Sequence, residues 1–151
     1  MDRKEKAVEL FKEGYNCSQS VVAAYADVIG LDEATALKIA SSFGAGMGRM
    51  REVCGAVSGM FMVAGMLTGT VDAKDVQGKT NNYEVVQEMA EEFKKTSGGS
   101  IICKELLGLV KKEESAVPEK RTEEYYKKRP CVQLVEDAAT IIDKILLEQQ
   151  N

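Results

Sequence analysis

The sequence predicts an all-α fold, a single domain over residues 1–151 built as a bundle of six or seven helices around a buried central helix at about residues 52–67. Three observations predict it. Residues 53–71 carry no charge, so most of that segment's surface must leave water. Apolar residues before and after it recur at three- and four-residue steps, and no segment of convincing length alternates apolar and polar residues as a half-buried strand does. The chain has 151 residues and 44% hydrophobic content, enough for one core.

The uncharged segment reads as core rather than as a membrane span. Gly55, Gly59, Gly65 and Gly69 remove apolar area from it, and no basic cluster follows on its C-terminal side. No stable membrane insertion is therefore expected. In chain order, Ala7, Leu10 and Phe11 share one face of a first helix over residues 2–13, which Gly14 ends. Asn16 is a good N-cap for a second helix that carries Cys17, Val21 and Val28 on a stripe and closes at Gly30. Asp32 caps a third helix through about Ser41, and Phe43 leads into a glycine-rich turn before the central helix.

Beyond the centre, residues 69–80 are polar and read as a linker, and Asn81 or Asn82 is the expected cap of a fifth helix with Tyr83, Val86, Ala90 and Phe93 on its apolar face. Gly98-Gly99 forces a turn, and Ser100 can cap a sixth helix that buries Cys103, Leu106 or Leu107, and Val110. Residues 111–128 are charged and read as a mobile excursion. Pro130 suits the first position of a last helix running towards Glu148, on which Cys131, Leu134, Ala138, Ile141 and Ile145 recur at helical steps.

Composition narrows the chemistry. The net charge is -4 and basic residues are interspersed with acidic ones, so nucleic acid is not an expected partner. The densest basic cluster, Lys127-Lys128-Arg129, follows Glu123 and Glu124 and reads as a solvated loop or helix end. There is no histidine, which excludes His-based triads and His-ligated haem or zinc. The charged N-terminus passes straight into an amphipathic pattern, without the apolar core of a secretory signal, so a cytoplasmic protein is expected. There its four cysteines would be reduced, metal-bound or transiently oxidised rather than permanent staples.

The placement of those cysteines is the main chemical signal. Cys17, Cys103 and Cys131 each fall in the first turn of an expected helix, and Cys54 in the first or second turn of the central one. Free N–H groups and the positive end of the helix dipole favour a thiolate there. Against this stands cysteine's ordinary use as a small buried hydrophobe, since each of the four continues an apolar stripe. No Cys-x-x-Cys occurs, so any pair must be assembled by the fold, and spacing alone chooses none of the three connectivities. At least two of the four are expected to converge, with Cys54 at the centre and Arg49 and Arg51 favouring its thiolate. Gly55 and Gly59 share a helical face on which another backbone or a flat cofactor could come close, close packing being the commoner use. The glycines of residues 44–48 lack the spacing of a dinucleotide fingerprint, and no strand precedes them.

Asn16-Cys17-Ser18-Gln19, then Phe43-Gly44-Ala45-Gly46-Met47-Gly48, then Cys54-Gly55-Ala56-Val57-Ser58-Gly59, then Cys103 and Cys131 resemble the C_GCAxxG_C_C family, small redox-active proteins named for a CGAxxG motif and four cysteines. The resemblance covers residues 10–147 or so. It implies a site made of Cys17, Cys54, Cys103 and Cys131, with two functional classes open. In one, the four act as catalytic thiols and disulfides of a thiol-dependent oxidoreductase or an electron carrier serving a partner protein. In the other, the same thiolates ligate an iron-sulfur cluster or another soft metal. A third class is a non-catalytic helical interaction domain whose cysteines are buried and inert.

Overall fold

The computed structural model describes residues 1–109 and 115–148, and among these it is all-helical. The elements are α1 (Arg3–Glu13), α2 (Cys17–Ala24), α3 (Ala26–Ile29), α4 (Glu33–Ala40), α5 (Gly55–Thr68), α6 (Val76–Thr96), α7 (Cys103–Leu106), α8 (Glu123–Lys128) and α9 (Cys131–Ile142), the last continued by a π-helical turn over Asp143–Leu147. Two short helices take the number above seven. The expected second helix breaks at Tyr25 into α2 and α3, and α8 forms where a mobile excursion was expected. Val110 and the first residues of that excursion, 111–114, lie outside the described residues.

The helix starts follow from local side chains. Asp2 caps α1 by accepting from the Glu5 N–H at 2.7 Å, and Asp32 caps α4 through Thr35 at 3.1 Å. At α2 the capping box is complete. Asn16 Oδ1 accepts from Gln19 N at 2.9 Å, while Gln19 Oε1 accepts from Asn16 N at 3.1 Å. The remaining amide hydrogens of both residues bind the end of α4, Asn16 to the Ser41 carbonyl and Gln19 to the Leu37 carbonyl, each at 3.1 Å. These two residues therefore start one helix and hold it against another.

Two starts were misread. Helix α7 opens at Cys103 with Ile102 at its N-cap, not at the expected Ser100. The long helix α6 begins at Val76, capped by Asp75 through Gly78 N at 2.8 Å, and not at Asn81 or Asn82. Gly78 leaves the space that the Asp75 carboxylate fills, so a residue that looks like a breaker permits the cap.

The centre of the molecule is shared. Helix α5 is buried from Gly55 to Met60 and again at Val63 and Ala64, while Met66, in its last turn, is 53% exposed. Helix α2 is buried at every position but Gln19 and packs against α1, α4, α5 and α9. Gly59 makes the α2–α5 approach possible. A Cβ there would lie 3.1 Å from both the Ser18 carbonyl oxygen and Val21 Cβ. Tyr25, fully buried, points its hydroxyl at the Ala139 carbonyl (2.9 Å) and Asp143 Oδ1 (2.7 Å), holding α9 to the α2–α3 break. Burial and the Asp143 carboxylate keep that phenol protonated far above its ordinary range. No described helix is long and apolar enough to cross a membrane.

Candidate functional site

The loop that joins α4 to α5 shapes the site. Ala45, Gly46, Met47, Gly48, Arg49 and Arg51 all have positive φ, between 54° and 70°. This left-handed run costs about 1–2 kcal/mol at each non-glycine position, so the surrounding structure must impose it. Gly46 is indispensable to it, because a Cβ at φ 70° would lie 2.7 Å from both Arg51 Cα and Cys103 Cβ. The loop then runs antiparallel to residues 101–104. Cys54 N donates to the Ile101 carbonyl at 2.8 Å, Cys103 N to the Glu52 carbonyl at 2.6 Å and Lys104 N to the Arg51 carbonyl at 3.1 Å. Around the isolated bridge between Val53 and Ile102, Cys54 and Cys103 fall on the same face.

The helix starts complete the arrangement. Cys17 opens α2, Cys103 opens α7 and Cys131 opens α9, while Cys54 is the N-cap of α5. All four thiols are free, buried, and line one cavity of about 260 Å³. Gly55 lies on the same wall, packed against the Phe43 carbonyl and Cys17 Cβ, at 3.0 and 3.2 Å from where its own Cβ would stand. Gly59 faces α2, as described above. Among the described residues no group of three Cys, Asp or Glu side chains is gathered closely enough to hold a metal ion.

Burial sets the protonation of Cys54 and Cys103. Cys54 is pushed up to about 12 by loss of water, although the Ala56 and Val57 N–H groups at the start of α5 oppose it. Cys103 is raised by burial against the pull of Arg51, whose Nη1 stands 3.8 Å from its sulfur. Cys17 is raised well above its ordinary value because its proton is directed to Cys131, and burial adds to the effect. Cys131 moves the opposite way, down to about 7. The Cys17 thiol stabilises its thiolate most, with smaller contributions from the Tyr125 hydroxyl, Arg129 and Arg121, all against burial. Helix starts were expected to lower all four, and the expected centre, Cys54, is instead the most buried of them. Arg51 reaches Cys103 rather than Cys54.

Sequence reading missed the groups around Cys131. Arg121 donates to the carbonyls of Phe11 (2.6 Å) and Tyr15 (2.9 Å), and its guanidinium carbon lies 4.0 Å from the Phe11 ring centroid. Arg129, the last member of the supposedly solvated basic cluster, turns inward and pairs with Glu119 at 2.8 Å. The signal was present: Arg121, Tyr125 and Arg129 stand at four-residue steps, the spacing of one helical face.

With this geometry in place, comparison with known proteins is decisive at one point. The family model described as "Putative redox-active protein (C_GCAxxG_C_C)" matches residues 15–145. The chain belongs to the C_GCAxxG_C_C family. No curated protein and no solved structure matches it. The C_GCAxxG_C_C match spans all four cavity cysteines, the Asn16–Gln19 cap and the left-handed loop.

Proposed function

We propose that this C_GCAxxG_C_C protein exchanges two electrons through Cys131 and Cys17, as a thiol-dependent oxidoreductase. The observation that carries the reading is the near-neutral Cys131 thiol held beside Cys17 in the shared cavity. The Cys17 hydrogen bond lowers the Cys131 thiol towards neutrality, the range that suits an attacking thiol. Its sulfur attacks one sulfur of a disulfide, forming a mixed disulfide and expelling the other half as a thiolate, which takes up a proton. Cys17 then loses its proton and attacks Cys131 Sγ. A Cys17–Cys131 disulfide forms, and the second half of the substrate leaves as a thiol. Two electrons pass from the protein to the substrate, with one proton coming from Cys17 and the other from solvent. Tyr125 and Arg129 steady the Cys131 thiolate before attack.

Mild oxidation of the reduced protein with diamide, followed by alkylation and peptide mapping, tests this. The first disulfide is expected between Cys17 and Cys131. A different first pair, or no intramolecular disulfide, counts against the reading.

A further inference from the structure

We infer that the cavity is the binding site for a small, negatively charged disulfide, with the Arg51 guanidinium receiving its anionic end. The inference rests on the dithiol reading above. Among the described residues the cavity wall carries Arg51, Arg121 and Arg129 and one carboxylate, Glu119. Glu119 is already paired with Arg129, and Arg121 is committed to the Phe11 and Tyr15 carbonyls. Arg51 is different. It is 5% exposed, its Nη1 has the Cys103 sulfur as acceptor at 3.8 Å, and its Nε has no partner. A thiol that burial keeps protonated is a weak acceptor and no counter-charge. A buried guanidinium without a carboxylate is costly, and an anion entering the cavity would relieve that cost with a charge-assisted hydrogen bond. The left-handed backbone at Arg51, φ 59°, holds the side chain at this wall.

Size and lining define the rest of the ligand. At about 260 Å³ the space falls short of the ~300–1,000 Å³ of pockets for drug-sized molecules. The thiols are at most 8% exposed, out of reach of a disulfide fixed on another protein's surface. Phe11, Leu106, Leu107 and Leu134 supply apolar walls, while the exposed Gly48, Pro118 and Glu119 mark the rim. A short apolar body ending in a carboxylate meets these conditions. In the reaction, R–S–S–R and two protein thiols become two R–SH and the Cys17–Cys131 disulfide.

The test uses three disulfides of similar size, 3,3′-dithiodipropionate (anionic), bis(2-hydroxyethyl) disulfide (neutral) and cystamine (cationic), each mixed anaerobically with the reduced full-length protein. Thiol loss is followed by intact mass, and each rate is divided by that of dithiothreitol with the same disulfide. The normalised rate is expected to favour the anion over the neutral compound by on the order of tenfold or more, as a single buried charge pair allows, with cystamine slowest. Arg51→Gln should bring the anion-to-neutral ratio close to one. Equal normalised rates for the three, or an anion slower than the neutral compound, would overturn the inference, and the wild-type series decides this even if Arg51→Gln fails to fold. If none of the three oxidises the protein while diamide still links Cys17 to Cys131, the substrate class fails and the dithiol reading stands. If diamide links no pair, the dithiol reading itself fails.

Discussion

Cys17 and Cys131 open two contacting helices at one cavity, and the hydrogen bond between their thiols favours the thiolate on Cys131. One thiol is raised and the other lowered by the same interaction, the asymmetry that the proposed dithiol exchange would use to divide attacking from resolving thiol. Tyr125, Arg121 and Arg129 all surround the Cys131 side of the pair and deepen the asymmetry.

Alkylation of Cys131 by iodoacetamide should follow its thiolate, with the rate half-maximal near pH 7. Cys17→Ala removes the largest stabilising influence and should move the midpoint upward. A midpoint unchanged in Cys17→Ala would show that the two thiols do not interact in solution. Stability should carry the same signature. Between about 7 and the ordinary 9.0 the folded protein has released the Cys131 proton and the unfolded chain has not, so this group makes stability rise with pH. Above 9.0, Cys17, Cys54 and Cys103 keep protons that the unfolded chain loses, and their contribution falls. Urea midpoints of wild type and Cys131→Ser across this range separate the two effects.

Asn16→Ala should cost about 1–2 kcal/mol, because it removes the α2 cap and also the link to the Ser41 carbonyl. Asn16→Ser keeps a capping oxygen but cannot reach α4, so it should recover part of the loss. Denaturant unfolding that finds Ala and Ser equal would refute a capping role for the side chain.

Arg121→Ala should cost about 2–3 kcal/mol, since two charge-assisted hydrogen bonds to α1 and its following turn are lost together with stacking on Phe11. Arg121→Lys should rescue little, because an ammonium cannot serve both carbonyls and the ring face at once. Thermal melts read the stability. The alkylation midpoint of Cys131 should also rise, as Arg121 is one of the cations that lower it.

Much of this was legible in the sequence because helix faces and caps are local. Asp2, Asn16, Asp32 and the apolar stripes are each explained by residues within one or two turns, and so were the cysteines' places at helix starts. Legibility failed where a glycine looked like a breaker and wherever the decisive partner was distant. Asp75 caps α6 only because Gly78 makes room for it. Cys54 and Cys103 share a face only because residues 51–54 pair with 101–104, a contact too short to leave an alternating pattern. Protonation was the least legible, since a helix start favours a thiolate but the burial that opposes it depends on the whole fold. Arg51 looked like a neighbour of Cys54 in sequence, yet its left-handed backbone delivers it to Cys103.

The last prediction sets two glycines of α5 against each other. Gly59 lies against α2, with the Ser18 carbonyl oxygen and Val21 Cβ both 3.1 Å from where its Cβ would be. Gly59→Leu must push two buried helices apart and should cost about 1–3 kcal/mol. Gly65, in the exposed last turns of the same helix, has nothing within 4 Å of its Cβ position. Gly65→Ala meets no obstacle, gains helix propensity and restricts the unfolded chain, so it should stabilise by about 0.5–1 kcal/mol. Opposite signs in thermal or urea unfolding are therefore expected from substitutions six residues apart on one helix. An unchanged melting temperature for Gly59→Leu would mean that α2 does not approach α5 so closely, and the wall that places Cys17 beside Gly55 would have to be redrawn with it.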